Sequence, residues 1–116
     1  MSFSTTERKL LGVTICSLEG RITLGEGSSE FRRVMNRYSK AEDENIVLDL
    51  GSVGYIDSAG VSELEKAHDT FLALGKTVVL VGLTKRIKDL LAITRLYRIF
   101  GVFDSPEDAV AAIHMR

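Results

Sequence analysis

The chain has 116 residues, 45% hydrophobic and 27% charged, the proportions of one ordinary globular domain spanning 1–116 and not of a disordered segment. Fifteen Lys and Arg against sixteen Asp and Glu give a net charge of -1, which offers no footprint for nucleic acid or for an anionic membrane surface. The single cysteine, Cys16, excludes an internal disulfide and fits a reducing cytoplasm. No apolar run approaches membrane-spanning length, and the opening MSFSTTERK lacks the apolar region of a secretory signal, so a cytoplasmic protein with no membrane insertion is expected.

Alternation from Phe3 to Lys9 and from Gly12 to Leu18 predicts two strands, turning near Leu11-Gly12 as an edge hairpin. Cys16 closes the apolar run Val13-Thr14-Ile15-Cys16, the setting of a small buried thiol. GRITLGEGSSE follows as a glycine-rich loop whose serines can cap a helix. Phe31, Val34, Met35 and Tyr38 recur at helical spacing and predict an amphipathic helix from about Ser29 to Lys40, with a polar connector from Lys40 to Asn45. Ile46 to Leu50 is a nearly continuous apolar run, as in a central strand covered on both faces.

After the turn at Asp57-Ser58-Ala59-Gly60, the residues Val61, Leu64, His68, Phe71 and Leu72 mark the inner face of a second helix, which Gly75 ends. Val78 to Val81 reads as another buried strand. Thr84 then opens a third helix with Ile87, Leu90, Leu91 and Thr94 inward, and Tyr97 to Phe103 is a short apolar segment. Ser105-Pro106-Glu107-Asp108 combines a cap, a first-turn proline and acids at the positive end of the dipole; the helix it starts carries Ala109, Val110 and Ile113. Strands alternating with helices imply parallel neighbours. The expected fold is a small single-domain α/β structure, a mixed β-sheet with helices packed against it, whose antiparallel part is the N-terminal hairpin.

In such a sheet the loops after parallel strands gather at the carboxyl ends, where ligands bind. GRITLGEG, GYIDSAG and GLTKRIKD are expected to meet there, each running into a helix. Ser58 falls at or next to the N-cap of the second helix, and two readings of it stand side by side. In one, Ser58 caps the helix, Asp57 complements the dipole and Gly60 allows close packing. In the other, Ser58 displays a hydroxyl whose phosphorylated form the helix start would accommodate, small residues 59 and 60 admit a partner, and the charge added beside Asp57 switches binding.

A serine hydrolase is excluded by pattern. Ile56 and Gly60 flank Ser58 where a nucleophile elbow needs two glycines, and His68 lies three turns down the same helix on its apolar stripe. Neither His68 nor His114 has a neighbour at metal-ligand spacing, and GEGSS lacks the lysine of a phosphate-binding loop, so neither metal nor cofactor is expected. Lys85, Arg86 and Lys88 at the third helix start read either as a solvated cluster or as an attractor of phosphate or an acidic partner.

IVLDLGSVGYIDSAGVSEL resembles the signature of STAS domains, named for sulphate transporters and anti-sigma factor antagonists, and the likeness extends to EGRIT, VVLVGLT, RIKDLLAITRLYRIF and DSPEDAVAAI. In stand-alone members that resemble this chain, the motif serine is phosphorylated by a partner kinase that is also an anti-sigma factor. The unphosphorylated protein binds that kinase and frees the sigma factor, and a PP2C-type phosphatase reverses the modification. By position, the resemblance implies Ser58 as acceptor, framed by Asp57, Ala59 and Gly60, with Val61 and Ser62 on the partner face; Lys85 and Arg86 are candidates beside it by their charge alone. Where the family often closes an early Gly-x-x-Asp element with an acid, this chain has Thr23. The implied function is that of an anti-sigma factor antagonist without catalysis of its own, a monomer or weak dimer. The alternative the family offers is a constitutive interaction module: a scaffold subunit of a stress-signalling assembly or an accessory subunit of a lipid-transport ABC system.

Overall fold

The computed structural model describes residues 3–42 and 45–115. The alternating N-terminal segment forms β1 (Phe3–Leu10) and β2 (Val13–Ile22), antiparallel partners in a register running from Phe3 opposite Gly20 to Leu10 opposite Val13. Leu11 and Gly12 turn the hairpin with φ of 49° and 83°, the doubly left-handed backbone of a two-residue turn that matches strand twist. Then β3 (Asn45–Ile56) and β4 (Thr77–Val81) run parallel to β2, and β5 (Gly101–Phe103) runs parallel to β4. The sheet order follows the chain, β1-β2-β3-β4-β5. Between the strands lie α1 (Glu26–Ser39), α2 (Ser58–Ala73), α3 (Lys85–Thr94) and a 3-10 turn (Leu96–Arg98); α4 (Pro106–His114) closes the order.

Side chains alternate across a strand, and this period sorts the core into two layers. Ile46, Leu48 and Leu50 of β3 join Val78 and Leu80 of β4 beneath Phe31 and Met35 of α1, Leu64 and Phe71 of α2, and Ile87 and Leu91 of α3. Val47, Val79 and Val81 point the other way, with Val13 and Ile15, onto Ala109, Val110 and Ile113 of α4. One nine-residue helix thus covers the second face. Its start is as expected: Ser105 caps it by accepting from the Asp108 N–H at 3.1 Å, with Pro106 in its first turn.

Several boundaries differ from the sequence expectation. β2 continues to Ile22 and β3 to Ile56, through residues whose glycines suggest loop, because the two extensions pair with each other as far as Ile22 and Ile56. α1 starts at Glu26, a turn before Ser29, with Gly25 at φ 101° as its cap and no side-chain capping bond. Gly27 makes the early start feasible: a Cβ there would stand 2.3 Å from the Arg21 carbonyl oxygen, so only glycine lets the first turn seat on the end of β2. On α2, Leu72 is 65% exposed, while Glu63 and Ala67 turn inward with Leu64 and Phe71. The segment Tyr97 to Phe103 divides into the end of the 3-10 turn and β5, with Tyr97 exposed and Phe100 buried. Of the connector read at Lys40 to Asn45, residues 43 and 44 lie outside the described residues, and Asn45 already belongs to β3.

Candidate functional site

The carboxyl ends of β2 and β3 lie side by side, and the loops that leave them are fastened together through one residue. Asp57 is the N-cap of α2: its Oδ1 accepts from the Gly60 N–H at 2.9 Å, and its Oδ2 accepts from the Leu24 N–H at 2.9 Å. Its own N–H donates to the Ile22 carbonyl at 3.4 Å. The Leu24 N–H, then that of Gly60, hold the Asp57 carboxyl below the usual carboxylate range. Asp57 therefore stands ionised at neutral pH with both oxygens engaged, a structural staple and not a base in waiting.

Capping by Asp57 places Ser58 one position inside, as the first residue of α2. Ser58 is exposed, and the capping role expected of its oxygen belongs to its neighbour. Ala59 and Val61 are half-buried and Ser62 is exposed. Gly60 is buried: a Cβ there would lie 2.1 Å from the Ile22 carbonyl oxygen and 2.6 Å from Ile56 Cγ2. Its smallness serves the packing of α2 against β2, and the space beside it is filled from within the domain.

Beside Ser58 runs an open groove of about 430 Å³, lined by Tyr55, Ile56, Asp57, Ser58, Val61, Leu90 and Thr94. Its far wall comes from the body of α3, so the third expected loop reaches the site through its helix. Lys85 is paired with Asp89 at 2.9 Å, whereas the Arg86 guanidinium lies over the Tyr55 ring, 5.8 Å from its centroid. Thr23 is half-buried, and its carbonyl accepts from the Ser28 N–H at 2.8 Å at the start of α1.

Sequence reasoning named neither Leu24 nor Tyr55. Leu24 is 82% exposed, an apolar side chain next to the Asp57 staple, and a single leucine in a glycine-rich loop carries no sequence signal of its own. Glu63 was missed as well. It is buried on α2 and accepts from Arg32 of α1, whose Nε lies at 3.0 Å, and this guanidinium holds its carboxyl below the usual range. His68 is half-buried with its ring edge against Phe100 at 5.5 Å, and His114 contacts the Leu11 carbonyl at 2.8 Å. Among the described residues no cluster of His, Cys, Asp or Glu could hold a metal ion, and no helix is long and apolar enough to cross a membrane.

A mixed sheet with α1 to α3 on one face, α4 on the other and an exposed serine opening the helix after the central strand defines a small α/β domain that presents a surface at its strand ends. The STAS domain model matches residues 6–109, and the chain belongs to the STAS domain family. Solved structures share the fold at low identity. An anti-sigma factor antagonist from Mycobacterium paratuberculosis matches with a TM-score of 0.83 at 18% identity, over 97% of this chain and 95% of that one. The phosphorylated form of the Bacillus cell fate determinant SpoIIAA matches at 0.71 and 12%, over 95% of this chain and 99% of that one. The murine anion transporter Slc26a9, inward-facing, matches at 0.81 and 20%, over 94% of this chain and 19% of its own.

Proposed function

We propose that this protein is a cytoplasmic anti-sigma factor antagonist: a binding protein without catalysis of its own, switched by phosphorylation of Ser58. The kinase is an anti-sigma factor that the unphosphorylated protein engages, and a PP2C-type phosphatase restores the free hydroxyl. In the switching step Ser58 Oγ takes the γ-phosphoryl group of ATP and loses its proton, and ADP leaves. The ATP and its Mg²⁺ belong to the kinase. The observation that carries the reading is the division of labour at the start of α2. Asp57 holds the cap and both loops, which leaves Ser58 exposed beside a groove with an apolar lining. A phosphate there adds close to two negative charges at neutral pH next to an ionised Asp57, enough to repel a partner seated in that groove. The candidate partner face comprises Thr23, Asp57, Ser58, Ala59, Gly60, Val61, Ser62, Lys85 and Arg86; of these, buried Gly60 contributes through the shape it permits.

The test is the intact mass of protein purified from its own cells with phosphatase inhibitors present, followed by fragment localisation. Phosphate on Ser58 is expected. In binding assays with the co-purifying kinase, Ser58→Ala keeps affinity and abolishes the switch, whereas Ser58→Asp weakens binding. A Ser58→Asp protein that binds as tightly as wild type sinks the electrostatic account. A chain unmodified under both growth and stress conditions points instead to constitutive binding.

A further inference from the structure

Arg86 reaches the groove beside Ser58 through one of its lining residues. Its guanidinium lies over Tyr55, and Tyr55 lines the same groove as Ser58. Residues four apart stack on one side of a helix, so Arg86, Leu90 and Thr94 form one stripe of α3, and Leu90 and Thr94 make the groove's far wall. The other charges on the bordering elements are placed differently. Lys85 is paired with Asp89, and Lys88 is rotated about 200° from Arg86 around the helix. Arg21 of β2 is the in-register strand neighbour of Tyr55 and so the nearest competing cation, Glu26 sits in the first turn of α1, and Asp57 immediately precedes Ser58.

An arginine resting on an exposed tyrosine is weakly held. An arginine facing phosphate makes charge-assisted, bidentate hydrogen bonds that are much stronger. We propose that Arg86 is the clamp for a phosphate on Ser58. On modification its guanidinium leaves the Tyr55 ring for the phosphate oxygens, offsets the repulsion from Asp57, and in the same movement uncovers Tyr55. The groove that a partner meets is then changed in charge and in shape. The inference rests on the reading of Ser58 as phosphoacceptor, but its test does not require the cell to phosphorylate it.

The protein is made with phosphoserine incorporated at position 58 during translation, and the second phosphate ionisation is followed by ³¹P NMR against pH. That ionisation falls near pH 6 for an unperturbed phosphoserine, and a guanidinium in contact favours the dianion and lowers it. The wild-type midpoint is expected about half a unit or more below that of Arg86→Gln, while Lys88→Gln and Arg21→Gln keep the wild-type midpoint. Equal midpoints for wild type and Arg86→Gln overturn the clamp. So does an equal or larger shift in either control, which would assign the effect to the general field. These side chains are all exposed, so each variant retains the fold on which the comparison depends. A native protein found unmodified at Ser58 would overturn the switch and leave these midpoints unchanged, so the two failures are distinct.

Discussion

Replacing Gly60 by alanine sets two familiar effects against each other. Inside a helix, Gly→Ala ordinarily stabilises by about 1 kcal/mol, because glycine loses more backbone freedom on folding. Here the added Cβ would stand 2.1 Å from the Ile22 carbonyl oxygen, and ordinary contact begins near 3.4 Å, so the helix start or the strand end must retreat by more than an ångström. The obstacle is backbone, paired to β3 through Ile22 and Ile56, and it cannot rotate aside as a side chain would. A retreat also pulls on Asp57, which bonds Gly60 and Leu24 at once. Overpacking costs about 1–3 kcal/mol and loss of a capping bond about 1 kcal/mol, so the substitution is expected to destabilise by about 2 kcal/mol net. For a domain of this size that lowers Tm by roughly 8–12 °C. Thermal unfolding by circular dichroism, with a urea titration for the free energy, measures it. An unchanged or raised Tm would refute the claim that α2 is wedged against β2.

Three further outcomes follow from the same geometry. Leu11, 74% exposed at φ 49°, strains a turn that suits asparagine, so Leu11→Asn is expected to stabilise by about 0.5–1 kcal/mol; a lower urea midpoint would contradict it. Arg32→Met leaves Glu63 buried and unpaired at a cost of about 1–3 kcal/mol, part of which Glu63→Gln in the same background recovers. Asp57 and Glu63 both have folded pKa values below their unfolded ones. Their stabilisation is therefore complete above about pH 5.5, where the unfolded groups have ionised, and drains away as pH falls through the lower folded values. Asp57→Asn keeps a capping oxygen without the charge. It is expected to be less stable than wild type at pH 7, with the gap closing in acid-unfolding curves below about pH 3.

Where one local rule acts alone, the chain is readable in advance. The Leu11-Gly12 hairpin, the Thr84 and Ser105 caps and the buried strand at Val78 to Val81 follow from alternation and capping chemistry, and the structure has them in place. The residues that build the site are harder, because each answers to a partner distant in sequence. Gly51 and Gly54 read as loop, yet they lie within β3, whose last residues pair with the end of β2. Ser58 and Asp57 are equally good caps by residue type, and Asp57 takes the role with Leu24, 33 residues away, giving its second oxygen a donor. Glu63 falls on the inner side of α2 because Arg32 meets it there, and Leu72 is left outside. The position of Ser58 as a candidate was legible; the groove beside it was not, since Tyr55 and Leu90 meet only when the sheet is assembled.

β3 stops pairing with β4 at Asp49 and continues with β2 as far as Ile56. The sheet is thus stepped: β3 runs seven residues past its last pair with β4, and Ser58 follows at the tip of that ledge. The layer under α4 is anchored by Val47, Val79 and Val81, at the far end of that ledge. A charge added at the tip can be read by a docking partner while the hydrophobic layers beneath stay as they are. Under the proposed switch, such a domain would store its state as surface potential, much as a key is recut at its edge without reforging the shank. In that proposal resetting requires no refolding, and the tempo falls to the enzymes that would write and erase the mark.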